Sequence, residues 1–164
     1  HSVKEEAETI LQMMEMGGAG MVFHGMSDKD VKAIMQYPFN MFASDASIRV
    51  YKQGNPHPRG YGTNARVLGK YVREEKVISL EEAIRRMTSL PATKFNLQNR
   101  GLLKEGFVAD IVIFDEATVA DLSTYNTPHQ YSKGFQYVIV NGQLTVENGV
   151  QNTNRSGKAI RMIH

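Results

Sequence analysis

Asn40-Met41-Phe42-Ala43-Ser44-Asp45, continued by the loop down to His57-Pro58-Arg59-Gly60, decides how this chain reads. Apolar and small residues run straight into an acid, and no helical period fits them. Bounded by Pro38 upstream and a polar loop downstream, such a run predicts a buried strand. An aspartate at the C-terminal end of a strand stands where barrels and open α/β folds place their chemistry. The competing reading is a strand-ending aspartate that only caps the next turn.

Upstream of that stretch, Ser2-Val3-Lys4-Glu5 is a capping box, and Val3, Ala7, Ile10, Leu11 and Met14 follow at helical spacing. A helix to about Met16 is predicted, stopped by Gly17-Gly18. Ala19 to Phe23 reads as a short strand ending at His24. Ser27 caps a second helix with an apolar face of Val31, Ile34 and Met35, ended by Pro38. Downstream, Ala46 to Gly62 has no period and is long for a strand-to-helix connection, which marks a functional or disordered loop. Thr63 to Lys76 reads as a helix, with Val67, Leu68, Tyr71 and Val72 on one side. Ser79-Leu80-Glu81-Glu82 opens another, backed by Leu80, Ala83, Ile84 and Met87. Pro91 can begin a short helix through Phe95.

After Gly101 the character changes to strands. Asp110 to Asp115 is one and Gln136 to Val140 another. Asn141-Gly142 joins the latter to Gln143-Leu144-Thr145-Val146 as a hairpin. The tail from Asn148 is expected to be loosely held. Residues 1–97 thus read as βα units and 98–164 as a small β module. Two βα units cannot close a barrel, so the chain is expected to be the end of a larger protein.

The 164 residues suit one domain, and 41% hydrophobic with 22% charged residues is a globular composition. A net charge of +2 with interspersed signs gives no nucleic-acid stripe and no membrane-binding face. No apolar run approaches the roughly 20 residues of a spanning helix. Lys4-Glu5-Glu6 falls where a secretory signal would be apolar. The absence of cysteine excludes disulfides and thiolate ligands within the chain. A cytoplasmic location is expected, with the true N-terminus lying upstream.

Several of these segments together resemble the N-acyl-D-amino-acid deacylases (D-aminoacylases) of the amidohydrolase superfamily. They are Ser44-Asp45, His57-Pro58-Arg59, Gly62-Thr63, Arg66 to Arg73, Ser79 to Ala83, Met87 to Ala92, Gly101 to Asp115 and Val138 to Gly142. The similarity runs from about Val3 to Val146 and looks like the C-terminal portion of such an enzyme. It implies an α/β fold: the last βα units of a TIM (β/α)8 barrel, followed by strands of a small β-sandwich.

In that frame Asn40 to Asp45 would be the last barrel strand. Asp45 would be the general base and acid, on or near the metal, and Arg59 would hold the substrate's carboxylate. The chemistry suits the residue types. Bound zinc lowers the pKa of water to about 7, a neighbouring carboxylate can carry the proton, and arginine's fork matches a carboxylate. The implied substrate is an N-acyl-D-amino acid and the implied cofactor zinc. The family's His-x-His is missing here: the histidines are His1, His24, His57, His129 and His164. The other zinc ligands are therefore expected upstream of this chain. Alone it is expected to bind no zinc and to be inactive, needing the missing part or self-association. Ala46 stands in place of a usual glycine, and Gly60-Tyr61 in place of Leu-Trp.

His57 lies in Pro56-His57-Pro58-Arg59, where the prolines stiffen the loop. It either binds substrate by orienting Arg59 or the aspartate, or is purely structural. His24 either lines the barrel mouth or caps a loop, and His129 reads as a surface residue. Met13, Met14, Met16, Met35, Met41 and Met87 read as core filler. Two further functions stay open: a non-catalytic interaction or oligomerisation module, and an amidohydrolase of a dipeptide or cyclic amide.

Overall fold

Ser2 starts helix α1 (Val3–Glu15) with a complete capping box, its side chain taking the Glu5 N–H while the Glu5 carboxylate takes the Ser2 N–H. The computed structural model describes residues 2–18 and 25–160. The strand expected over Ala19 to Phe23 lies outside them, as do His1, His24 and His164. No residue of α1 is buried, and Val3, Ile10, Leu11 and Met14 all face solvent. Met14 and Met16, expected in the core, are exposed, whereas Met35 is buried and Met87 packs on the core.

Helix α2 (Asp28–Met35) is capped by Ser27. It is tied to the rest by ions at one end and arginines at the other. Lys32 and Lys70 share Asp28 and Glu75, with Lys32 2.6 Å from Asp28 and 3.0 Å from Glu75. Arg85 donates to Pro38 O at 2.8 Å, and the buried Arg86 donates to Met35 O. Both arginines belong to α4 (Leu80–Met87), where Glu82 accepts from each of them. That pairing holds the Glu82 carboxyl down at about 2. At the start of α4 only the Ser79 half of the expected capping box forms, because Glu82 turns to the arginines. Helix α5 (Ser89–Lys94) follows directly.

The strand expected over Asn40 to Asp45 does not form. This segment makes no ladder hydrogen bonds, and every strand among the described residues begins at or after Ile111. A strand needs a neighbour, and none pairs with this segment among the described residues. Phe42 nevertheless packs against the core. The next helix starts earlier than its apolar stripe suggests. Pro58 stands at the cap position of α3 (Arg59–Arg66), its φ of −52° already helical. The helix then widens into a π-helical stretch, Val67–Glu74. Its inner face supplies Val67, Leu68, Tyr71 and Val72, as the spacing predicted.

A four-stranded antiparallel sheet makes up the second half: β1 (Ile111–Phe114), β2 (Phe135–Val140), β3 (Gln143–Glu147) and β4 (Val150–Gln151), in that order. Asn141-Gly142 turns β2 into β3 with φ of 50° and 78°, the doubly positive pair a two-residue hairpin requires. Asn148-Gly149 repeats the device at 50° and 77° and adds β4. The tail is therefore not loose at its start. Asn152 and Asn154 continue it by donating to Leu144 O.

Between β1 and β2 the chain runs along the α3 side, and there the two halves join. Val119 is fully buried among Ala65, Val67, Leu68, Val72 and Ala83, with Phe114 and Phe135 packed alongside. Gly69 lets its helix approach: a Cβ there would stand 2.7 Å from Val119 O. Arg73 Nη1 donates to the same carbonyl at 2.5 Å and to Glu116 O at 3.1 Å. This junction fixes α3, and α3 carries Arg59.

Candidate active site

The loop from Asp45 to Pro58 returns on itself, so that the two residues singled out at its ends meet. Arg59 Nη2 lies 2.8 Å from Asp45 Oδ2. Asp45 adopts a φ of 48°, a left-handed conformation that aspartate tolerates better than most residues. Its carboxylate is 84% exposed, and Oδ1 has no protein partner among the described residues. One oxygen is thus neutralised by the guanidinium while the other stays open to water or a ligand. Expected at the mouth of a strand, Asp45 sits instead on an unpaired segment, and it lines neither cleft described below.

Two clefts flank Arg59. The larger, about 810 Å³, runs between α3 and the sheet and is lined by Ser44, Tyr61, Tyr131, Phe135 and Val146 among others. The smaller, about 340 Å³, is bounded by His57, Thr63, Arg66, Asp121 and Tyr125. Arg66 pairs with Asp121 across its floor at 2.8 Å. Arginine is therefore the cation common to both spaces, with one guanidinium edge on Asp45 and its other donors free of protein partners among the described residues.

His57 sits beside Arg59 by design of the helix start. Helix α3 has no side-chain cap at Pro58, and His57 Nδ1 accepts the Arg59 N–H at 3.0 Å in its place. A nitrogen that accepts an N–H carries no proton, so the neutral ring bears its hydrogen on Nε2. That nitrogen lies 3.1 Å from the Tyr125 hydroxyl. Partial burial, and then the Arg59 charge, push the His57 pKa below its ordinary 6.5.

His129, read as a surface residue, does more. Its Nε2 donates to Gly54 O at 2.9 Å, and its Nδ1 accepts from Lys52 N at 3.3 Å and from Tyr61 Oη at 3.0 Å. Tyr51 stacks on Tyr131 at 5.0 Å, and both meet the edge of Tyr61. The long loop is thereby latched to the segment between β1 and β2. Nothing local in Thr127-Pro128-His129 announces a partner some seventy positions away. The one hint was that the loop and this segment each carry a histidine next to a proline, with a tyrosine a few residues on. Among the described residues, no three His, Cys, Asp or Glu side chains gather as a metal site.

The chain is similar to three enzymes of Alcaligenes xylosoxydans xylosoxydans. It is 42% identical to an N-acyl-D-glutamate deacylase over 76% of this chain and 25% of that one. It is 38% identical to an N-acyl-D-aspartate deacylase over 87% and 28%, and 41% identical to a D-aminoacylase over 78% and 26%. It therefore spans about a quarter of the length of the curated relatives it matches. A solved D-aminoacylase superposes with a TM-score of 0.76 at 37% identity, over 82% of this chain and 28% of that one. The N-acyl-D-glutamate deacylase of Bordetella bronchiseptica, solved with zinc and a phosphonate inhibitor, gives 0.68 at 43%, over 73% and 25%. The model of the amidohydrolase family matches residues 6–146, a span that takes in Asp45, His57, Arg59, the first two strands and all but the last residue of the third, and this chain belongs to that family.

Proposed function

We propose that this chain supplies the proton-carrying carboxylate and the carboxylate-binding arginine of a zinc-dependent deacylase, which cleaves N-acyl-D-amino acids to a carboxylate and a free D-amino acid. The Asp45–Arg59 pair carries the reading: an acid with one open oxygen lies 2.8 Å from a cation that still has donors to offer. In the reaction, water oxygen bonds to the acyl carbon and the C–N bond breaks. Asp45 takes the water's proton and returns it to the leaving nitrogen. Arg59 receives the substrate's α-carboxylate with the N–H groups not turned to Asp45.

Zinc does not fit this chain by itself. Asp45 is a single carboxylate with a guanidinium on one oxygen, and the described residues bring no three donors together. The reading places the metal's other ligands outside these residues, and the chain alone is inactive. The helices up to Lys94 would then belong to the last βα units of a barrel, the segment around Asp45 pairing as a strand once a neighbour is present. Residues from 98 onward would form part of a small β-sandwich.

The test is an exchange in which this chain replaces the matching quarter of the N-acyl-D-glutamate deacylase. With zinc, the chimaera is expected to hydrolyse an N-acyl-D-amino acid, and Asp45→Asn to slow it by roughly 10²–10⁴-fold. An active chimaera indifferent to that substitution overturns the reading.

A further inference from the structure

The geometry points to Tyr125 as a positioning residue: through the His57 ring it fixes the first turn of α3 and hence the place of the Arg59 guanidinium. The inference deepens the proposed function, since it rests on Arg59 being the group that receives substrate.

The helix start explains why such a device is needed. The first N–H groups of a helix have no partner within it, and the cap position of α3 is Pro58, whose side chain can accept nothing. His57 Nδ1 takes the N–H of Arg59, the first residue of the helix. An imidazole does this only in one orientation and one tautomer, and both must be set from its far side. Tyr125 is what stands there, with its hydroxyl 3.1 Å from Nε2 and the two rings edge to face at 5.0 Å. Accepting the Nε2 hydrogen holds Nδ1 bare and aimed at Arg59.

Tyr125 can act as a fixed point because its own turn is closed. Thr124 Oγ1 lies 2.8 Å from Thr127 Oγ1 and accepts the Thr127 N–H at 3.0 Å. Thr124 N donates to Thr127 O at 3.2 Å. The buried Ser123 hydroxyl donates to Pro128 O at 2.6 Å, and Gln130 reaches back to Thr127 Oγ1 at 2.7 Å. The turn is anchored on either side as well, by Asp121 on Arg66 and by His129 on the loop. The charged groups facing His57 are Arg59 on its own segment, and Arg66 and Asp121 around the smaller cleft. Arg66 and Asp121 neutralise one another, so beyond the ring's partial burial the charge that acts on it is that of Arg59, while Tyr125 is its partner on the Nε2 side.

The test uses the whole 164-residue chain, labelled for NMR, with Tyr125→Phe, His57→Asn and the double variant. Phenylalanine keeps the ring contact and removes only the hydroxyl. The variant is expected to leave the melting temperature unchanged, shift the His57 titration, and speed hydrogen exchange at the Arg59 amide by roughly two- to tenfold, the range one hydrogen bond spans. In the His57→Asn background, Tyr125→Phe is expected to add nothing, because the link is already cut. Unchanged exchange at Arg59 with an unchanged His57 titration would overturn the proposal. So would an equal effect of Tyr125→Phe with and without His57. Turnover of N-acetyl-D-glutamate by the zinc-loaded chimaera separates the two claims. If Arg59→Ala leaves it unchanged while Tyr125→Phe still frees the amide in this chain, the positioning stands and the substrate reading falls.

Discussion

A Cβ on Gly62 would stand 2.7 Å from the Cβ of Asp121, so α3 meets the segment after β1 across a residue with no side chain. Glycine inside a helix ordinarily costs about 0.5–1 kcal/mol relative to alanine. Here Gly62→Ala is expected to reverse that sign and destabilise by about 1–3 kcal/mol through overpacking. Urea unfolding of the two proteins gives the difference directly. A more stable Gly62→Ala variant would show that α3 does not dock where described.

Gly134 should be less tolerant still. Its φ is +87°, and a Cβ would fall 2.4 Å from Val119 Cα, at the fully buried centre of the junction. Gly134→Ala therefore combines backbone strain of about 1 kcal/mol or more with a clash against main chain. Its loss in urea unfolding is expected to exceed that of Gly62→Ala.

Glu82 holds both Arg85 and the buried Arg86, and its carboxyl is kept near 2 against an ordinary 4.5. A depressed folded pKa contributes stability that is complete above the unfolded value and disappears as pH falls through the folded one. The chain is thus expected to lose stability between pH about 4.5 and about 2. Glu82→Gln is expected to flatten this slope and to cost about 1.5–3 kcal/mol at neutral pH, the usual scale for charged hydrogen bonds. Circular dichroism unfolding as a function of pH decides it. An unaltered slope in the variant would assign the acid response to other carboxylates.

His57 gives the second pH dependence. Its pKa is lowered in the folded chain, so the unfolded chain binds the extra proton first and stability falls as pH drops below 6.5. The causes are the partial burial of the ring and then the Arg59 guanidinium beside it, and a proton on Nδ1 would also remove the acceptor of the Arg59 N–H. An NMR titration is expected to place His57 below 6.5. A value above it would mean that the ring is held as the cation.

Much of this was legible one element at a time. The Ser2, Ser27 and Ser79 caps, the buried side of Val67 to Val72 and the Asn141-Gly142 hairpin are local patterns, and each appears where its chemistry puts it. Asn148-Gly149 carried the same signal and its hairpin could have been read too. The early start of α3 was also marked, by Pro58 just ahead of the helix. The strand at Asn40 to Asp45 failed for a different reason. Composition says that a segment can be a strand, but only a neighbouring strand makes it one. The exposed stripe of α1 shows the same limit, since spacing gives the apolar side of a helix and not what lies against it. At the site, Asp45 and Arg59 were named from their neighbours in sequence. The contacts that arrange them, His129 on Gly54 and Tyr125 on His57, join positions too far apart for any local pattern to reveal.

The most direct measurement compares kcat/KM of the zinc-loaded chimaera, with Arg59 and with Arg59→Ala, on an N-acetyl-D-amino acid and on the same compound with its carboxylate capped as an amide. If Arg59 receives the carboxylate, the substitution lowers the value for the acid by about tenfold or more, on the scale of one charged hydrogen bond of about 1.5–3 kcal/mol. It leaves the capped compound nearly unchanged. Equal losses on both compounds would contradict that role and leave Arg59 as no more than a partner for Asp45.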